Sequence, residues 1–114
     1  METIRSTIRM RIPVEKESAA LDILSSITEQ VQYEPSCVSC RIYRSVDEPH
    51  TIMIEELWET QEDLRRHLRS NTYHLILLVI EMAESPPEVR FDSIICSHGF
   101  ELIENERNRT ENQE

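Results

Sequence analysis

The stretch "EPSCVSCRIYRSVDEPHTIMIEELWE", residues 34–59, decides how the chain folds. After Pro35, "CVSCRIYRSV" is rich in β-formers, "DEP" supplies turn residues, and "HTIMIEELWE" returns as a second run of the same kind. Two such runs around a short polar turn predict a β-hairpin. Its second arm places Ile52, Ile54, Glu56 and Trp58 on one face and Met53 and Leu57 on the other. A sheet with one wet face alternates cleanly between apolar and polar, so this strand predicts contact on both sides.

Upstream, "IRSTIRMRI" at 4–12 alternates Ile4, Ile8, Met10 and Ile12 against Arg5, Thr7, Arg9 and Arg11, which predicts a strand ended by Pro13. Ala20, Ile23, Leu24, Ile27 and Val31 then recur at helical spacing through about residue 33. Downstream, Thr60 with Asp63 three residues on marks a helix start. Leu64, His67, Leu68, Asn71 and Leu75 share the inner face of that helix, with a break expected near Ser70 and Asn71. "SPP" at 85–87 stops the helix, and "EVRFDSIIC" at 88–96 reads as a fourth strand. The order strand, helix, strand, strand, helix, strand is that of an α+β, ferredoxin-like βαββαβ sandwich.

Helices cover one face of such a sheet. The other is expected to meet a second copy of the chain, sheet to sheet, as a homodimer. Residues 1–103 form one domain in this reading. The tail "ENERNRTENQE", 104–114, has no apolar residue and is expected to be disordered.

Twelve Lys and Arg against 22 Asp and Glu give a net charge of −10. That field disfavours nucleic acid and anionic membranes as partners. The arginines of "RRHLR" at 65–69 read as a solvated helix face. The single glycine, Gly99, leaves no material for a phosphate loop or a dinucleotide fingerprint. No secretory leader is recognisable, and the longest apolar run, "LILLVI" at 75–80, is far short of a membrane span. A cytoplasmic protein is expected, and three cysteines, an odd number, fit free thiols in a reducing compartment.

Cys37 and Cys40 have CxxC spacing. In an extended strand such residues point to opposite faces with Cα atoms about 10 Å apart, beyond the roughly 7 Å that a disulfide spans. Redox CxxC pairs also sit where a strand enters a helix, whereas here a strand continues. A zinc set completed by Cys96 and His98 would want a tight glycine turn that the sequence lacks. Core thiols, with no metal and no cofactor, are the expectation.

The polar residues on apolar faces are more informative. His67 lies between Leu64 and Leu68, and His74, seven residues on, projects in nearly the same direction along one helix. A neutral histidine in an apolar pocket is a proton acceptor near pH 7. His67 is the first candidate base and His74 the second, with Tyr73 as a hydrogen-bond donor to a substrate oxygen. Trp58 is a candidate wall, beside Leu64 and Asn71. Glu56, an acid on an apolar face, either pairs with an arginine such as Arg41 or lines a cavity. Each has a plainer alternative: a boundary histidine bonded to a carbonyl, a core tyrosine, a packing tryptophan.

"EPSC", "YRSVDEPHT", "EELWET" and "HLRSNTYH", followed by "PPEVRFDSI", together resemble the antibiotic biosynthesis monooxygenase (ABM) family, quinol monooxygenases included, from about Thr3 to Ile95. The resemblance implies a dimeric α+β barrel of ferredoxin-like protomers. It also implies a cofactor-independent monooxygenase acting on a small electron-rich aromatic or quinol, with oxygen as co-substrate and the cavity between sheet and helices. By the same resemblance, His67, Tyr73 and Trp58 line or support that cavity. Ser36 stands where the family favours glycine. The haem-degrading branch carries tryptophan at the position of His67 and a histidine ten residues later, where this chain has Leu77. Haem degradation is therefore not expected. Competing readings are a non-catalytic small-molecule binder or structural dimer, and an isomerase of a small signalling metabolite.

Overall fold

A computed structural model describes residues 2–112. The chain forms β1 (Thr3–Arg11), α1 (Val14–Val31), β2 (Cys37–Arg44), β3 (Thr51–Trp58), α2 (Gln61–Leu68), α3 (Asn71–Glu81), β4 (Glu88–Ile94) and α4 (Phe100–Asn112). One sheet has the order β2-β3-β1-β4, every neighbour antiparallel. This is the ferredoxin-like α+β arrangement that the hairpin and its flanks predict.

Register explains which side chains face the helices. Ile4, Ser6, Ile8 and Met10 of β1 stand opposite Trp58, Glu56, Ile54 and Ile52 of β3, and all eight are buried. Ala20, Leu24, Ile27 and Val31 of α1, with Ile76 and Val79 of α3, close the layer. Each isoleucine buried this fully contributes about 1.5–3 kcal/mol, so the centre of the sheet is the stable part of the molecule. On the uncovered face, Arg5, Arg9 and Arg11 stand opposite Leu57, Met53 and Thr51, and Arg41 stands opposite Glu55.

The helix break falls where polar caps compete with the helix. Thr60 accepts from the Asp63 backbone N–H (3.1 Å) and starts α2. Ser70 accepts from the Tyr73 N–H (3.2 Å) and starts α3. Two separate N-caps mean two helices rather than one.

Two expectations need correction, and one alternative left open for Glu56 is excluded. The tail beyond residue 103 is not irregular: α4 runs through that boundary to Asn112, and residues 113–114 lie outside the described part. Absence of apolar residues argues against burial, but it does not prevent local helix formation, to which the Arg109–Glu106 pair three residues apart (3.7 Å) contributes. Cys37 and Cys40 do not point to opposite faces. Cys37 stands opposite Trp58 and Cys40 opposite Glu56, with a register slip between Cys37 and Ser39; the extra residue of this bulge turns both thiols toward the helices. Finally, Glu56 does not meet Arg41, which lies on the other face.

Candidate active site

Glu56 occupies the middle of the covered face, flanked across the strands by two small residues, Ser6 and Cys40. Their size leaves room for an aromatic ring above the carboxylate, and α2 fills it with His67. His67 Nε2 lies 3.0 Å from Glu56 Oε2, and the Trp58 indole N–H donates to Oε1 at 3.3 Å. Glu56 and His67 are each only 2% exposed. A buried acid is unfavourable unless it is hydrogen-bonded and paired, and here it is both.

The rings pack around this pair. Trp58 and His67 have centroids 4.6 Å apart, and Tyr73 meets the imidazole edge-on at 5.4 Å. With Nε2–H donated to the carboxylate, Nδ1 carries the free lone pair. Among the described residues, Nδ1 of His67 is the only buried side-chain polar atom without a partner. His67 also lines a cavity of about 300 Å³, together with Glu34, Pro35, Ser36, Trp58, Asp63, Arg66 and Ser70. Burial, then the Glu56 charge, push the Tyr73 hydroxyl up to about 12, so it remains a donor throughout the neutral range. At the mouth, hydrogen bonds from Thr60 and then Ser36 hold the Asp63 carboxyl below the usual carboxylate range.

His67, Glu56, Trp58, Tyr73 and Leu64 are all buried, but of these only His67 and Trp58 line the cavity; Glu56, Tyr73 and Leu64, expected to meet substrate, do not. The structure does not bring His74 or Asn71 to them; both are exposed on α3. The seven-residue relation between His67 and His74 assumed one continuous helix, and the break at Ser70 removes it. Sequence reasoning also missed Glu34, Ser36, Asp63, Arg66 and Ser70 as cavity-lining residues, although Ser36 in "EPSC" and the Thr60–Asp63 cap were visible signals. Cys96 contacts His98 (3.3 Å) in an exposed segment. Among the described residues, no three His, Cys, Asp or Glu side chains are grouped to hold a metal.

Fold and site define a ferredoxin-like α+β domain with a carboxylate–imidazole pair buried between sheet and helices. Residues 3–76 match the antibiotic biosynthesis monooxygenase family, and the chain belongs to it. Solved structures share the fold. A conserved protein from Methanosarcina mazei is 22% identical, with a TM-score of 0.75, over 81% of this chain and 92% of that one. Rv0793 from Mycobacterium tuberculosis is 19% identical, with a TM-score of 0.76, over 85% and 99%. A third, an antibiotic biosynthesis monooxygenase, is 16% identical, with a TM-score of 0.73, over 82% and 99%. At these identities the likeness shows fold alone. No curated protein matches the sequence significantly, and no helix among the described residues is long and apolar enough to cross a membrane.

Proposed function

We propose that the protein is a cofactor-independent monooxygenase of small electron-rich aromatics or quinols, acting as a cytoplasmic homodimer. The observation that carries this reading is the unpartnered Nδ1 of His67, a residue that lines a cavity together with Trp58. In the proposed reaction Nδ1 removes a proton from the substrate hydroxyl or activated carbon, while Glu56 holds Nε2–H and stabilises the imidazolium that forms. The substrate anion gives an electron to oxygen, and the two radicals combine as a peroxide. The imidazolium returns its proton to the distal peroxide oxygen, and loss of water, which takes the remaining hydrogen of the same carbon, leaves one oxygen atom in the product carbonyl. Tyr73, which packs edge-on against the imidazole outside the cavity lining, holds the ring in place.

The dimer has separate support. Met53 and Leu57 interrupt the charged outer face of the sheet. Every described residue from 95 to 109 is exposed, Ile95, Phe100 and Ile103 by more than half. A helix of 13 residues is marginal in water without packing, so α4 gains most from a second copy.

A binding or structural role is the competing reading, favoured by the near-complete burial of His67. Oxygen uptake by the purified protein over hydroquinones and anthrones, with His67→Ala in parallel, separates them. Uptake is expected with wild type and a loss of about 100-fold or more in the variant. Uptake unaffected by the substitution would remove His67 as the base, and none on any substrate by a folded dimer would overturn the oxygenase reading.

A further inference from the structure

Glu56 has a third neighbour that the proposed chemistry does not use. Cys40 Sγ lies 4.0 Å from Oε2, the same oxygen that holds His67. The strand register sets Cys40 directly opposite Glu56, and the thiol is 6% exposed. A thiol is a weak donor whose hydrogen rotates to suit its partner, and within sulfur's reach here is a carboxylate already shared with an imidazole.

We infer that Cys40 is a positioning residue of the Glu56–His67 pair, its S–H drawing on Oε2 and so limiting how strongly that oxygen retains a proton on the imidazole. A thiol does this only while protonated. Burial, then the Glu56 charge, push the Cys40 thiol up to about 12, which keeps the donor in place through the neutral range.

From α2, the oppositely charged Asp63 and Arg66 pair with each other at 3.1 Å and line the cavity with His67. From β2, Cys37 is pushed up to about 11, chiefly by burial. From α3, Tyr73 stays protonated, as described above. Glu34, before β2, acts on both thiols through its charge. From α1, the Thr28 hydroxyl donates to the Leu24 carbonyl at 2.7 Å and also lies within reach of Cys40. Thr28 is therefore the rival partner for the thiol.

The sign of the effect follows. Without the S–H, Oε2 carries more charge toward His67, the imidazolium is favoured, and the ring gives up its proton at higher pH. The measurement is the pH titration of the His67 imidazole by nitrogen NMR in wild type, Cys40→Ala and Cys40→Ser. It needs no substrate, so its outcome is separate from that of the oxygen-uptake assay. In Cys40→Ala the midpoint is expected to rise by about half a unit or more, roughly three-fold in the protonation constant. Cys40→Ser, which restores a donor, returns it to the wild-type value or below. Coincident midpoints for wild type and Cys40→Ala overturn the inference, since a packing role alone would lower stability without moving the titration.

Should Cys40→Ala fail to fold, the S–H stretching band of Cys40, read by Raman in Cys37→Ala/Cys96→Ala protein, decides the matter. A band lowered as in bonded thiols, and still lowered in the added Thr28→Val variant, supports the contact with Glu56. A free-thiol band, or one freed by Thr28→Val, refutes it.

Discussion

The two faces of the sheet are near opposites. Toward the helices, Ile4, Ile8, Met10, Ile52 and Ile54 form an apolar layer into which the carboxylate of Glu56 is set. Away from them, Arg5, Arg9, Arg11, Arg41 and Glu55 form a charged layer interrupted by Met53 and Leu57. The exceptions teach more than the rule. An acid inside an apolar layer is tolerated only with donors in place, which is why Trp58, His67 and Cys40 converge on it. Apolar side chains in a charged layer gain nothing from water, and they are where the proposed second copy would pack.

The largest effect is expected at the covered face's exception. Glu56→Ala removes one partner of a buried pair and leaves the Trp58 and His67 donors unmatched, at about 3–5 kcal/mol; denaturant unfolding measures it. A loss below about 1 kcal/mol would mean that water replaces the carboxylate, and the site is wetter than the geometry implies. Adjacent residues on β3 then sharpen the contrast. Ile54→Ala should cost about 2–5 kcal/mol at any protein concentration. Met53→Ala, one residue away on the other face, should cost less than about 1 kcal/mol in dilute protein, the cost growing with concentration if a second copy covers it.

A more direct break is Met53→Asp, which places a like charge beside Glu55. Sedimentation equilibrium should show association weakened about ten-fold or more, or at least about 1.4 kcal/mol, with the His67 NMR signal unchanged. Wild-type association in this variant would sever the dimer from the sheet face and leave α4 as its remaining support.

The covered face was legible in the sequence because its signals are local. Period two in 4–12 and helical spacing from Ala20 to Val31 state which side is apolar, and the second arm of the hairpin gathers Ile52, Ile54 and Trp58 on one face. Glu56 stood out for the same reason, as an acid in an apolar series. Its partner did not. Pairing Glu56 with His67 requires the rotation of α2 over the sheet, a tertiary fact, and the arginine that the sequence suggests, Arg41, lies on the other face. His74 failed because a helical relation was extended across a cap at Ser70, and the CxxC pair because a one-residue bulge reverses the alternation on which the reading depended. Helix α4 was missed because composition reports on burial, and α4 is not buried.

The smallest expected effect tests the joint between the faces, the cap that aims α2. Thr60 accepts from the Asp63 N–H, while its hydroxyl donates back to the Asp63 carboxylate. Thr60→Ala should cost about 1 kcal/mol at pH 7, read as a lower melting temperature. Asp63 has a folded-state pKa below its unfolded value, with the Thr60 bond the first cause and Ser36 the second. Such a group adds stability that is fully present above the unfolded value, about 4, and lost as pH falls through the folded one. The gap between wild type and Thr60→Ala should therefore narrow on acidification below about pH 4, without closing, because the backbone half of the cap does not titrate. A gap that is constant with pH would show that the hydroxyl serves only the backbone, and His67 would then be positioned by the helix start alone rather than by a charged clasp at the mouth of the cavity.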